Sequence, residues 1–466
     1  MTSSKRHIVL VGGGITGLST AYYLQAEIRK QNLPYQITLL ESSHRLGGKI
    51  ETIYRDGFVM ERGPDSFLER KPSAKQLAVD LGLEEELVRN ETGQAYILHH
   101  NKLEPIPDGA VMGVPTKLTP FARTGLISLL GKARAAADLL LPRVKQNHEQ
   151  DQSVGYYFRN RLGDEVVDHI IEPLLSGVYA GNIDKMSLQT TFPQFAELGR
   201  QNRSLILGMK KMRPAKPPSE KAKGIFFTLK RGLGSLIDAL ETQLTDVHIQ
   251  TGVSVQQITK KEEEYLLTLH NGDTLTADAL VMTTPYPIAK NILNEVKSLQ
   301  PLPLPATSVA TVIFAFPQEA VTLSKPGTGF LIPKTEDYQI TACTWTHLKW
   351  PHTTPAGKVL IRCYVGRAGD QAIVEQPDEV IQNIALQDMR RIFPITSGPE
   401  FAYVTRWHHA MSQFAVGHLE WLARTRHTLT TQYPGVFLAG SSYAGSGIPD
   451  CIDQGKQAVQ DVLDYL

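Results

Sequence analysis

Gly12, Gly14 and Gly17 stand at G-x-G-x-x-G spacing, with Gly13, Ile15 and Thr16 between them. Glu41 follows roughly 20 residues later, where a ribose hydroxyl acceptor belongs. Gly12 allows a tight turn, Gly14 lets backbone approach a pyrophosphate, and Gly17 lets a helix pack on a strand. The elements needed to position them are all present. His7-Ile8-Val9-Leu10-Val11 reads as a buried strand. Leu18, Ala21, Leu24 and Ile28 recur at helical spacing. Gln36–Leu40 reads as a second strand that delivers Glu41. The helix start offers free N–H groups and a partial positive charge. Strand, glycine turn, helix, strand and acid together predict a dinucleotide site.

Three further stretches carry residues suited to the same ligand. Ser42 to Lys49 holds the pair Gly47-Gly48 between basic residues, and Ser42, Gly48 and Lys49 can line a phosphate and ribose region. Phe58 to Phe67 reads as a short strand broken at Gly63-Pro64, followed by Asp65 and Ser66, which suits a loop against a flat ring. Near the end, Gly435 to Gly440 reads as a strand ending in glycine, Gly445 to Cys451 as a glycine turn, and Ile452 to Leu466 as a last helix. Gly447, Ile448 and Pro449 then bring a second helix N-terminus to the cofactor.

A chain of 466 residues suggests about three domains. Charged residues at 20% and hydrophobic ones at 42% describe an ordinary globular protein. A net charge of +1 excludes a globally polyanion-seeking protein. Cys343, Cys363 and Cys451 form no C-x-x-C, so neither disulfides nor a zinc site is expected, and a reducing compartment fits. His99-His100 and His408-His409 lack a third ligand at suitable spacing, so no metal is expected. The first strand begins so early that no signal peptide is expected, and no run is long and apolar enough to span a membrane. These features predict the cytoplasm.

Residues 73–90 read as a helix opened by Ser73. From Lys102 to Lys145 seven basic residues face three acids, and Phe121 to Leu141 reads as helical, a pattern able to lie on anionic lipid or simply to solvate a helical subdomain. Residues 151–208 continue helical, with Glu172 to Gly181 predicted as a loop between helices. Residues 200–231 hold ten basic residues against Glu220 alone, with an exposed loop predicted at Met212 to Ser219. That face suits an acidic small molecule, an acidic partner or lipid, and no motif for reading nucleic acid accompanies it. Strands are predicted at 247–258, 264–270, 274–283, 308–316, 338–346, 358–365 and 400–406, with a helix opened by Gly232-Leu233-Gly234-Ser235 and running to about Thr245.

The chain resembles the flavin-dependent porphyrinogen oxidases within the amine oxidase/protoporphyrinogen oxidase superfamily. The glycine fingerprint, Arg45-Leu46-Gly47-Gly48-Lys49, Glu61 to Phe67, Leu175 to Gly181 and Gly447 to Cys451 carry the resemblance over nearly the whole length. It is strongest to the soluble Gram-positive enzymes that make coproporphyrin III. The resemblance implies an α/β architecture like that of monoamine oxidase. A Rossmann-like domain (1–70, 225–300, 416–466) would hold non-covalent FAD. A mixed-sheet substrate domain (71–101, 301–415) and a helical subdomain (102–224), able to touch a membrane surface, would complete it. It implies O2 as oxidant and six hydrogens removed from a porphyrinogen in three two-electron steps, releasing three H2O2. By the same resemblance the Gly177 carbonyl faces the reacting centre, Lys71 binds a substrate carboxylate, Val255 touches the adenine region and Trp407 touches the flavin. Thr311 stands where amine oxidases carry a lysine, which weighs against an amine substrate. Both coproporphyrinogen III and protoporphyrinogen IX stay open as substrates. A hand-over to ferrochelatase follows from pathway logic. The remaining rivals are a flavin amine oxidase and a non-enzymatic binding protein on the same fold, as in the prenylated-GTPase dissociation inhibitors.

Overall fold

The computed structural model describes residues 5–141, 151–212, 224–296, 299–302 and 305–466. Parts of the basic stretches, including Arg143, Lys145 and the loop expected at 213–219, lie outside the described residues.

Ile8, Val9, Leu10 and Val11 are apolar on both strand faces, and all four are buried. Such runs belong in parallel sheets covered on both sides. The strand Arg6–Val11 is the centre of a five-stranded parallel sheet. Its order is Val247–Thr251, Tyr35–Glu41, Arg6–Val11, Ala279–Met282, Val436–Leu438. Two edge strands therefore come from far down the chain. The helices Ile15–Gln31 and Ile448–Tyr465 pack together on this sheet. A side chain at Gly455 would stand 3.0 Å from the Thr16 carbonyl, so that position keeps the two helices close.

A second core surrounds a seven-stranded sheet. Its order is Phe401–Met411, Thr307–Pro317, Lys358–Val365, Ile340–Trp345, Gly329–Leu331, Tyr96–His99, Lys102–Pro105. The helix Asp378–Ile392 buries Ile381, Ala385 and Met389 against one face. The other face of its long strands meets the Gly63–Ser66 loop. A third core is helical, built on Tyr157, Phe158, Phe192 and Phe195, whose rings meet edge-on or tilted.

Several expected elements differ. Glu172 to Gly181 is not a loop: Glu172–Tyr179 is an α-helix that continues a π-helical turn, Val167–Ile171. Pro173 stands directly after the π-helical turn, so the Pro and glycines that suggested a loop are accommodated within a continuous helical run. The helix expected over 73–90 is Pro72–Asp80 alone. Gly82 at φ 74° ends it, and Glu84–Glu86 is a 3₁₀ turn leading to the strand Leu87–Arg89. Phe121 to Leu141 splits into Leu118–Arg123 and Leu129–Ala136, because Leu126 and Ile127 turn into the helical core between them. The strand expected at 247–258 breaks at Gly252 (φ 72°), and its halves serve different sheets.

Candidate functional site

The glycine turn after the first strand has the shape its spacing demands. Gly12 has φ 115°, a region open to glycine. A side chain at Gly17 would stand 1.9 Å from the Gly12 carbonyl oxygen, so this glycine is required for the helix to sit on the turn. Gly14 is different. It is extended (φ −75°, ψ 179°), and nothing lies within 4 Å of where its Cβ would be. It caps the helix Ile15–Gln31 with no side chain satisfying the first N–H groups, and Ile15 and Thr16 are buried in the first turn. The result is a helix N-terminus with uncovered backbone beside open space.

Glu41 closes one side. Its Oε2 accepts the Gly13 N–H at 2.6 Å and its Oε1 accepts the Ser43 N–H at 2.7 Å, with the Ser42 hydroxyl at 3.3 Å. The Ser42–Lys49 loop lies alongside: Gly47 N–H donates to the Gly13 carbonyl, and Gly48 stands against Gly14. Arg45 spends its donors on the carbonyls of Leu46, Gly48 and Ile50 and so braces this loop. Val253 N–H donates to the Glu41 carbonyl, which brings buried Val255 to the same edge.

The second helix N-terminus arrives beside the first. Gly447 caps Ile448–Tyr465, with Pro449 in the first turn. Gln454 fixes the approach: its Oε1 accepts from the Gly440 and Ala444 N–H groups, and its amide donates to the Gly445 and Asp450 carbonyls. Burial pushes the Cys451 thiol up to about 11.

Further along, the Lys49 ammonium is buried and donates to the Ala410 carbonyl and, at 3.4 Å, to Ser441 Oγ. Burial lowers its pKa. A Cβ at Gly63 would collide with the Lys49 carbonyl, which forces the two loops together. The neighbouring Arg62 carbonyl accepts three donors: Thr311 Oγ1 at 3.0 Å, Trp407 Nε1 at 3.0 Å and the Arg362 guanidinium at 3.2 Å. Pro64 follows, and Asp65 then turns inward. Its Oδ2 accepts from Lys349 at 2.7 Å and Trp350 at 3.2 Å, and its Oδ1 from Ser66 at 2.7 Å. Burial would raise the Asp65 pKa, but Lys349 and Arg362 outweigh it and hold the carboxyl well below the usual range. Glu61, two residues before Gly63, accepts the Leu233 N–H and the Thr52 hydroxyl, yet burial pushes it up to about 7.

Two expected positions need comment. Gly177 lies in the last turns of the helix Glu172–Tyr179, where carbonyls lack intrahelical partners, and a side chain there would meet Leu331 at 2.7 Å. Lys71 is not a free cation: its ammonium holds both oxygens of Asp450 at 2.5 and 2.7 Å. The neighbouring Arg70 is exposed. Burial, then Asp450, pushes the nearby Tyr179 phenol up to about 12.

Of the residues expected at a dinucleotide, Gly13, Gly14, Glu41, Ser42 and Gly48 meet around the first glycine turn, and Lys49, Gly63 and Trp407 meet beside the Arg62 carbonyl. Sequence reasoning passed over Arg362, Lys349, Asp450 and Gln454. Arg362 carried a signal as a lone cation inside the apolar run Val359 to Val365, and Asp450 lay within the Gly447 to Cys451 stretch without being assigned a role. Among the described residues, no group of three His, Cys, Asp or Glu side chains could hold a metal ion.

The pattern of the flavin containing amine oxidoreductases matches residues 15–463. The coproporphyrinogen III oxidase of Bacillus subtilis is 51% identical over 470 residues, covering 100% of both chains. The chloroplastic protoporphyrinogen oxidase of Nicotiana tabacum is 30% identical, covering 98% of this chain and 85% of its own. A solved chain from Exiguobacterium sp. 255-15 superposes with a TM-score of 0.88 at 40% identity, covering 98% of this chain and 99% of that one. The chain belongs to the flavin containing amine oxidoreductase family.

Proposed function

We propose that the protein oxidises coproporphyrinogen III to coproporphyrin III with FAD and O2, as a step of haem biosynthesis. Six hydrogens leave the substrate in three two-electron steps, and three O2 become three H2O2. The observation that carries the reading is the helix start at Ile15, whose Gly14 cap leaves its backbone uncovered beside open space, with Cys451 in the first turn of the second helix against Thr16. A glycine turn that leads into an uncovered helix N-terminus suits a pyrophosphate. FAD, when bound, supplies the two-electron acceptor and returns the electrons to O2.

The chain's own residues do the rest. Gly12 to Gly17 receive the pyrophosphate. Glu41 and Ser42 meet the ribose, with Val255 at the adenine. Gly48 and Lys49 line the phosphate and ribose region, Gly63 to Ser66 and Trp407 hold the ring system, and Gly447 to Pro449 bring the second helix start to the cofactor. The Gly177 carbonyl orients the reacting carbon of the substrate. Lys71 exchanges Asp450 for a substrate carboxylate. The three cores correspond to FAD-holding, substrate-holding and helical parts.

The relative at 51% identity favours coproporphyrinogen III, and the plant relative keeps protoporphyrinogen IX as the second reading. Thr311, bound to the Arg62 carbonyl, offers no amine at the place an amine oxidase would need one. We further propose peripheral contact with anionic lipid through the helical part. Leu129 and Leu130 are 83% and 84% exposed, and Arg123 and Lys117 lie exposed a few residues before them. Among the described residues no helix is long and apolar enough to cross a membrane. Sedimentation with phosphatidylglycerol vesicles tests the contact: binding lost in Leu129→Glu/Leu130→Glu supports it, and equal binding refutes it. Direct transfer of product to ferrochelatase is tested by a coupled assay, in which a trap for free porphyrin that abolishes haem formation refutes it.

A further inference from the structure

We infer that Arg362 is a positioning residue which fixes the Arg62–Gly63 peptide of the proposed FAD site and would raise the reduction potential of a flavin held there. The inference rests on the proposed FAD site. Arg362 lies mid-strand in Lys358–Val365, with apolar Ile361 and Cys363 on either side, and is 6% exposed. A guanidinium is costly to bury unless it is needed. Its Nη2 donates to the Arg62 carbonyl at 3.2 Å and to the Gly63 carbonyl. It lies over the Tyr364 ring, 4.9 Å from the centroid, which limits its rotation. No carboxylate pairs with it directly among the described residues. Asp65 feels the Arg362 charge but is hydrogen-bonded to Lys349, and buried Glu61 is bound by Thr52 and Leu233.

Three donors on one carbonyl is more than a loop needs for stability alone. Thr311 and Trp407 already satisfy the two lone pairs of the Arg62 oxygen. Arg362 adds a charge and reaches one residue further, to Gly63, the residue whose backbone stands against the Lys49 loop. Its Nε has no protein partner and is buried. A cavity of about 20 Å³ lined by Glu61, Asp65, Trp350 and Arg362 has room for one water there. A fixed positive charge close to a ring that gains electrons favours the reduced form.

The test compares the wild-type holoenzyme with Arg362→Met and Arg362→Lys. FAD content is read from the visible spectrum, and the potential by equilibration with a reference dye under anaerobic reduction. Arg362→Met should retain FAD and lower the two-electron equilibrium about tenfold, which is about 30 mV. Its kcat should fall while KM changes little, because the substrate does not touch Arg362. Arg362→Lys keeps the charge and should recover most of the potential. If Arg362→Met fails to fold, Arg362→Gln is read in the same titration, with the same fall expected. A potential equal to wild type in a charge-free variant that holds FAD overturns the inference, as does a lysine variant as low as the methionine one. Wild-type protein that binds no FAD overturns the proposed function instead.

Discussion

Gly14 and Gly17 are three residues apart in one turn, and alanine at the two positions should do opposite things. At Gly17 the added carbon meets the Gly12 carbonyl oxygen at 1.9 Å and Thr283 Oγ1 at 2.9 Å. The nearer obstacle is backbone and cannot swing aside. Overpacking of this kind costs about 1–3 kcal/mol, and a backbone obstacle belongs at the upper end. Gly17→Ala should therefore lose roughly 3 kcal/mol of folding stability with or without cofactor. At Gly14 the backbone is extended at φ −75° and the space is empty, so Gly14→Ala should change the stability of the cofactor-free protein by well under 1 kcal/mol. The methyl group would, however, stand where the pyrophosphate must approach. Losing one or two hydrogen bonds to a charged oxygen costs about 2–4 kcal/mol, or about 30- to 1,000-fold in affinity. Deflavinated proteins would be unfolded in urea and then titrated with FAD by fluorescence quenching. Wild-type affinity in Gly14→Ala would refute the reasoning, and so would a stability loss in Gly14→Ala equal to that in Gly17→Ala.

Three further outcomes are expected. The folded-state pKa of Glu61 is raised from 4.5 to about 7, so the folded protein binds a proton there that the unfolded chain has released, and stability falls as pH climbs through that window. The span corresponds to about 3 kcal/mol, and Glu61→Gln should remove that part of the slope in urea unfolding from pH 4.5 to 7; an unchanged slope counts against it. Lys349→Met strands the buried Asp65 carboxylate and should cost about 3–5 kcal/mol, most of it recovered in Lys349→Met/Asp65→Leu, whereas a loss below about 1 kcal/mol would show the pair to be idle. Lys71→Ala should raise KM for the porphyrinogen more than it lowers kcat, and Asp450→Asn should lower KM by freeing the ammonium; unchanged KM in both variants would make the pair a brace only.

The first strand, the glycine turn and Glu41 were legible because they obey local rules: an apolar run, a backbone that must come close, a carboxylate at the end of the next strand. The helix Glu172–Tyr179 was not, since Pro173 directly after a π-helical turn and Gly177 against Leu331 are accommodated by packing that the local sequence does not express. The same holds for Leu126 and Ile127, which tertiary burial pulls out of what reads as one helix. In the site, Asp65 and Ser66 were legible as loop residues. That Lys349 and Trp350 hold Asp65 from nearly 300 residues away was not, because only the folded sheet brings them together. Lys71 was legible as a cation near the site, but its partner Asp450, 379 residues on, emerged only with the fold.

The central claim is tested most directly by mixing the purified protein in air with coproporphyrinogen III or, separately, with protoporphyrinogen IX, and following porphyrin fluorescence against a protein-free blank. The account predicts a flavin-coloured protein that forms coproporphyrin III well above the blank, faster than it forms protoporphyrin IX, with three H2O2 per porphyrin. Flavin-loaded protein giving no porphyrin above the autoxidation blank would contradict it.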